Sequence, residues 1–451
     1  MITLREHEER RSRLMAALRE HDAAPVALLQ GAPQPSAHAR FRQYNDLYYL
    51  CPVEAPHAYL AIDGRDGDAT HLFLPHQPER RLKSEGVVVS ASDPEHARRV
   101  TGSDHVHGLG ELAEFLERVR SLHTPMRQGE GALQSWDTLQ RAAQERDSDP
   151  WDGRLDRNRN FVRLLRERLP AARLSDLAPV LDRLRLVKSP AEVALLRRAG
   201  RLSAHGLLAA LRATKAGATE YQVEAASRFV YLDHGALDVS YRAIAASGDN
   251  AWYGHYNAND AVLRDGDLVL FDCGPDYRYY ASDITRMWPV GGTYTPTQRQ
   301  LYGFMVRYHL TLLGLLAPGV TAEWVHAEAA ERMRAHVDST DWEKPCYEQA
   351  ARRALEFPYH LSHPVGMAVH DVGHYRGEKL LPGMVISVDP QLIIPEERKY
   401  LRVEDTVAIT ETGTENLTSD APYELDEMEA LMSAAGSGPF ERYARLWEPP
   451  A

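Results

Sequence analysis

Four carboxylates in the C-terminal half of this chain stand where carboxylates are hardest to keep, in or beside short apolar runs that read as strands. Leu268–Phe271 is wholly apolar and ends on Asp272; the connection CGPDYRYY follows, and Asp283 opens the next run, ITRMWPV. Further on, VISVDPQLII sets Asp389 inside an apolar stretch. YLRVEDTVAIT carries Arg402 and Glu404 two residues apart, hence on one face of a strand. An ionised carboxylate buried without a partner is very costly, so a fold that encloses these acids must supply protons, cations or metal ions. Taken singly, each has an ordinary alternative. Asp272 and Asp283 read equally as turn residues, Asp389 as a solvent-facing acid on an edge strand that Pro390 also suits, and Glu404 as half of a structural ion pair.

The set is more informative than its members. PYHLSHPVGMAVHDVGHY adds His360, His363, His370 and His374 between the second and third acids. Asp272, Asp283, His363, Asp389 and Glu404 then make four carboxylates and one imidazole, each on or beside a strand-like run. Hard divalent ions favour carboxylate oxygen, and one histidine shifts the preference toward manganese, cobalt, iron or zinc. Four negative charges would neutralise two such ions, and a metal pair with bridging carboxylates is a recurring hydrolytic arrangement.

At 451 residues the chain exceeds one compact core, so two domains are expected. The formal net charge of −12, with no basic run, argues against nucleic acid and anionic membrane surfaces as partners. Cys51, Cys273 and Cys346 are odd in number and widely spaced, which excludes a disulfide framework and fits a reducing compartment. The charged opening MITLREHEERRSRLMAAL lacks a signal-peptide core, and no run reaches transmembrane length. A soluble cytoplasmic protein is expected.

The first third reads as a small α/β domain. A helix through Leu18 leads to short apolar runs at Val26–Gln30, Leu47–Leu50, Tyr59–Ile62, His71–Leu74 and Val87–Val89. The domains are expected at 1–178 and 179–451. After Lys188, Ser189 reads as an N-cap, Pro190 as the first helical residue and Glu192 as the reciprocal cap of a long amphipathic helix. GATEYQVEAA from Gly217 and GVTAEWVHAE from Gly319 agree in Gly, Thr, Val and Ala at the same offsets. Each precedes a block of strands, acids and histidines, so helices followed by strands occur twice. This suggests an α+β domain with duplicated halves.

In order along the chain, FDCGPDYRYYASDITR, SHPVGMAVHD, PGMVISVDP and RVED resemble the signature of the pita-bread metallopeptidases, which include aminopeptidase P, prolidase and methionine aminopeptidase. The resemblance runs from Lys188 to about Thr418, while EHEERRSRLMAAL and FRQYNDLYYL resemble the aminopeptidase P N-terminal domain. It implies an α+β pita-bread (creatinase/aminopeptidase) domain with pseudo-twofold halves, preceded by a smaller α/β domain. It implies a dinuclear exopeptidase that releases the residue before proline from proline-containing peptides, with prolidase action on Xaa-Pro dipeptides, or a catalytically weakened peptide-binding homologue, as alternatives. Two divalent ions are implied, manganese foremost with zinc, cobalt or iron possible, as is a homodimer or homotetramer.

By motif, Asp272 would chelate one metal, Asp283 and Glu404 would bridge both, and His363 with Asp389 would complete the other. His255 and His370 would bind the substrate carbonyl and the tetrahedral intermediate, Arg402 would orient a bridging carboxylate, and Asp389 would relay the proton. Tyr241 and Tyr375 match family tyrosines near the site. Three positions depart from the pattern. Asp389 replaces a glutamate and so loses roughly 1.5 Å of reach, Tyr359 replaces a histidine, and Ile393 stands where tyrosine is frequent; Tyr359 and Ile393 would line the substrate pocket.

Overall fold

In the computed structural model, which describes residues 2–36 and 39–434, the chain divides into two compact units between Arg185 and Leu186. The first is built on β1 (Val26–Gln30), β2 (Tyr59–Asp63), β3 (Ala69–Leu74), β4 (His105–Gly108), β5 (Ser121–Thr124) and β6 (Arg173–Asp176). Their order is β4-β3-β2-β1-β5-β6, with β2 antiparallel to both β1 and β3, β4 parallel to β3, and β5 parallel to both β1 and β6. Val26, Leu28, Ala61, Phe73 and Leu122 of the sheet pack with Phe161 and Leu165 of helix Arg157–Arg168.

Two runs depart from expectation. Leu47–Leu50 closes a helix, Asn45–Leu50, that buries Leu47, Tyr49 and Leu50, because an apolar run this short carries no period that separates helix from strand. Val87–Val89 has no regular structure, and Val87 is 71% exposed. Strands β4 to β6 lack the apolar alternation that would have announced them. Helix Ala178–Leu186 is tied to this unit by Arg185, a fully buried guanidinium that donates to Asp46 at 2.6 Å and Glu130 at 3.2 Å. The two compact units thus divide after Arg185.

In the second unit the Ser189 hydroxyl accepts from the Glu192 amide (3.2 Å) and the Glu192 carboxylate accepts from the Ser189 amide (2.9 Å), a reciprocal cap that starts helix Pro190–Ala213. The strands are β7 (Asp238–Val239), β8 (Ile244–Ser247), β9 (Leu268–Cys273), β10 (Pro275–Asp276), β11 (Ile284–Pro289), β12 (Leu361–Pro364), β13 (Val385–Val388), β14 (Gln391–Ile394), β15 (Lys399–Arg402), β16 (Glu404–Ile409) and β17 (Thr414–Asn416). Seven form one antiparallel sheet in the order β12-β13-β16-β11-β9-β8, with β17 on β16; β7 pairs β10 and β14 pairs β15.

The sequence echo is also a structural one. Gly217 and Gly319 take φ +85° and +88°, a conformation that glycine adopts at little cost. The Gly217 amide donates to Leu263 O at 3.0 Å and the Gly319 amide to Leu380 O at 2.8 Å. Thr219 and Thr321 then cap helices Glu220–Asp233 and Ala322–Ser339. Four identities in ten positions thus mark the same turn, bridge and helix start in each half. Helices of both halves cover a core that includes Phe271, Trp288, Tyr302, Val325 and Tyr347.

Candidate metal centre

Strand register gathers the acids. In β9 and β11 Asp272 lies opposite Thr285, and in β11 and β16 Thr285 lies opposite Glu404. Asp283, just before β11, is pinned to β16 at both ends of its backbone: its amide donates to the Thr406 hydroxyl (2.9 Å), which donates in turn to its carbonyl (2.8 Å). Gly274 lets the chain turn between these strands, since a Cβ there would lie 1.9 Å from Ser282 O. As a result Asp272, Asp283 and Glu404, all buried, each present an oxygen within 4.8 Å of the others. Asp283 with a carboxylate oxygen and His363 and His370 with one ring nitrogen each form a second such group. His363 Nε2 is 3.5 Å from Asp283 Oδ2 and 3.9 Å from Glu404 Oε1, and its ring centroid is 4.1 Å from that of His370.

Neighbouring groups hold the carboxylates by name. The Tyr241 hydroxyl lies 2.5 Å from Asp272 Oδ1 and 2.6 Å from Asp283 Oδ1, one donor between two acceptors. Thr285 donates to Glu404 Oε2 at 2.8 Å and Ser387 to Glu404 Oε1 at 2.5 Å. Arg402 Nη2 donates to Asp272 Oδ2, while its Nε lies 3.7 Å from Asp389 Oδ1 and 3.9 Å from Glu404 Oε2. Thr285 and Ser387 were missed from the sequence, although each stands two residues from a nominated acid and so shares its strand face.

Charge balance follows from this crowding. Burial, then the Glu404 and Asp272 charges, push Asp283 well above the usual carboxylate range. Burial and the Glu404 charge do the same to Asp389. Burial also acts to raise Glu404, but Arg402, His363 and the Ser387 and Thr285 hydroxyls outweigh it and hold that group low. The enclosure is thus short of positive charge, and an oxygen-rich donor set with adjacent imidazoles fits a divalent ion of the hard to borderline kind.

The remaining nominated residues are placed unevenly. His370 stands among possible ligands and not only behind them. Asp389, directly after β13, lies outside both three-residue groups: its Oδ2 accepts from Gln391 at 3.3 Å and its buried Oδ1 accepts no hydrogen bond. Tyr375 is buried in the core with its hydroxyl unpartnered. Tyr359 is half exposed, its ring 4.3 Å from the Arg376 guanidinium. His255 lies exposed in the loop after the turn Gly248–Trp252.

Comparison with known proteins bears on both units. Residues 194–411 match the model of metallopeptidase family M24, and residues 7–125 match the aminopeptidase P N-terminal domain. The chain is 32% identical over 455 residues to Xaa-Pro aminopeptidase of Escherichia coli K12, covering 96% of this chain and 99% of that one. It is 35% identical over 459 residues to Xaa-Pro aminopeptidase of Haemophilus influenzae, covering 95% and 97%. Among solved structures it is similar to zinc-substituted E. coli aminopeptidase P in complex with product (TM-score 0.77, 30% identity, 97% and 100% covered). It is also similar to a putative aminopeptidase P from Bacillus anthracis (TM-score 0.78, 25% identity, 96% and 99% covered).

Proposed function

Because the chain belongs to metallopeptidase family M24 and carries the aminopeptidase P N-terminal domain ahead of it, we infer that it is an Xaa-Pro aminopeptidase, a hydrolase that releases the N-terminal residue of peptides with proline second. The observation that carries this reading is the buried convergence of Asp272, Asp283 and Glu404 within the family-matched segment. Asp272, Asp283, Glu404 and His363 would hold two divalent ions, manganese first and zinc, cobalt or iron as alternatives, with Asp389 completing one of them. When bound, the ions supply the Lewis acidity that makes water nucleophilic near neutral pH and polarises the scissile carbonyl.

The chain's own side chains do the rest. Thr285 and Ser387 pin both oxygens of Glu404, and Arg402 with Tyr241 fixes Asp272, so the donor atoms are set before substrate arrives. Asp389, with one buried oxygen unpartnered and a raised proton affinity, is suited to take the proton of the attacking water and pass it to the departing proline nitrogen. His255 and His370 would hold the carbonyl and the tetrahedral oxyanion, and Tyr241, Tyr359 and Tyr375 would shape the pocket.

No helix among the described residues is long and apolar enough to cross a membrane, and Cys51, Cys273 and Cys346 are free thiols, which supports a cytoplasmic location. A homodimer or homotetramer is proposed from the family resemblance. The test is to incubate the metal-loaded protein with an Xaa-Pro-Xaa tripeptide and the matching Xaa-Pro dipeptide. Release of the first residue from the tripeptide is expected, and turnover of the dipeptide alone would assign prolidase action. The position of Asp389 outside both candidate ligand groups favours one further reading, a weakened peptide-binding homologue; no release with any of the four metals, together with retained binding of the tripeptide, would favour it.

A further inference from the structure

In the first unit, three histidines gather on one face of its six-stranded sheet. β3 and β4 run parallel with His71 opposite His105 and Phe73 opposite His107, so His71, His105 and His107 point the same way. β4 is the sheet edge, His105 is exposed, and His71 and His107 are half buried. The ring of His71 stacks on that of His105 at 4.7 Å and on that of His107 at 5.3 Å. His71 Nδ1 and His107 Nε2 are 3.1 Å apart.

That separation is itself informative. Two imidazole nitrogens bound to one zinc or copper ion at about 2.0–2.1 Å stand roughly 2.9–3.4 Å apart, from square-planar to tetrahedral geometry. The far nitrogen of His107, Nδ1, lies 3.3 Å from Glu111 Oε2, and the other oxygen of Glu111 accepts from the Gly108 amide at 2.7 Å. A carboxylate behind a ligating histidine fixes its tautomer and leaves the near nitrogen as the lone-pair donor. His71 has a second nitrogen, Nε2, that is buried and makes no hydrogen bond. It can take the proton that Nδ1 must give up. Burial and the two neighbouring imidazoles also lower the His71 pKa to about 4, which keeps the ring neutral and able to ligate near pH 7.

We propose that His71 and His107, with His105 swinging in from its exposed position, form a second transition-metal site for zinc or copper, separate from the carboxylate centre and held in orientation by Glu111. On binding, the His71 proton moves from Nδ1 to Nε2 and no proton is released. Nothing in the proposal depends on the peptidase reading, and peptidase activity is not its readout.

The experiment uses the full chain carrying Asp272→Ala and Asp283→Ala, which removes two central carboxylates, and measures zinc binding by equilibrium dialysis. One zinc ion per chain should remain, and adding His107→Ala should weaken its binding at least 30-fold. Adding His105→Ala, which alters only an exposed side chain, should weaken it at least 5-fold and decides the matter if the His107 variant misfolds. With copper(II) as the probe, nitrogen superhyperfine splitting from two or more imidazoles should shrink in step with the histidines removed. Zinc binding absent from the double-aspartate protein, or unchanged by the histidine substitutions, would overturn the proposal and leave the cluster as packing at a sheet edge.

Discussion

Replacing Asp283 by asparagine should make the metal-free protein more stable, not less. The side chain keeps its shape while losing a charge that the structure sets between two others. Asp272, Asp283 and Glu404 present oxygens within 4.8 Å of one another. At that distance, with an effective dielectric constant of about 20, each like-charge pair costs about 3.5 kcal/mol, so an ionised Asp283 carries about 7 kcal/mol of repulsion. It can escape by binding a proton. Relative to an ordinary value of 3.8, that costs about 6 kcal/mol at pH 8 and about 3 kcal/mol at pH 6, and the cheaper route caps the penalty.

Arg402 offsets part of it, so Asp283→Asn should gain about 2–5 kcal/mol at pH 8 and about 1–3 kcal/mol at pH 6. The sign follows from proton counting. Asp283 is raised in the folded state, so above pH 3.8 and up to that raised value the native chain binds a proton that the unfolded chain has lost. The Asp283 contribution to metal-free stability therefore falls as pH rises through this window, and the variant lacks that contribution, so the difference between the two proteins widens with pH. Denaturant titration after EDTA dialysis, followed by the fluorescence of fully buried Trp288, reads both quantities. Equal or lower stability of the variant at pH 8, or the same pH slope as wild type, would refute the electrostatic account of the centre. Manganese should stabilise the wild type far more than the variant, since the lost oxygen is one it would use.

Three further outcomes follow from the same geometry. Arg402→Lys keeps the charge but loses the planar fork that reaches Asp272 and faces Asp389 and Glu404, so kcat/KM for an Xaa-Pro-Xaa tripeptide should fall at least 100-fold. Asp389→Glu restores a methylene of reach to a carboxylate whose Oδ1 has no hydrogen-bond partner, and kcat/KM should rise about tenfold; a fall would mean that this site has repacked around aspartate. Gly274→Ala places a Cβ 1.9 Å from Ser282 O, a clash with backbone that should cost more than about 3 kcal/mol and appear as loss of the near-ultraviolet circular dichroism of this unit.

Much of this protein can be read along the chain because the relevant physics is local. The Ser189–Glu192 cap, the paired Gly217 and Gly319 turns, and acids embedded in apolar runs are all statements about a few neighbouring residues. Period-two alternation could also have nominated Thr285 and Ser387 as partners on the faces of Asp283 and Asp389. Other features were decided by packing. Leu47–Leu50 became helical because one turn of helix buries Leu47, Tyr49 and Leu50, and polar β4, β5 and β6 became strands because sheet partners elsewhere in the chain supplied what their own sequence does not advertise. Convergence of the centre depends on pairing β11 with β16, residues 284 and 405 being register partners, and no local propensity reaches across that span. Residue identity and local propensity set which atoms carry charge and where the backbone turns. The tertiary structure alone decided which oxygens share one enclosure, and it left the shorter Asp389 side chain outside both groups, because inter-strand register is set by burying a common core.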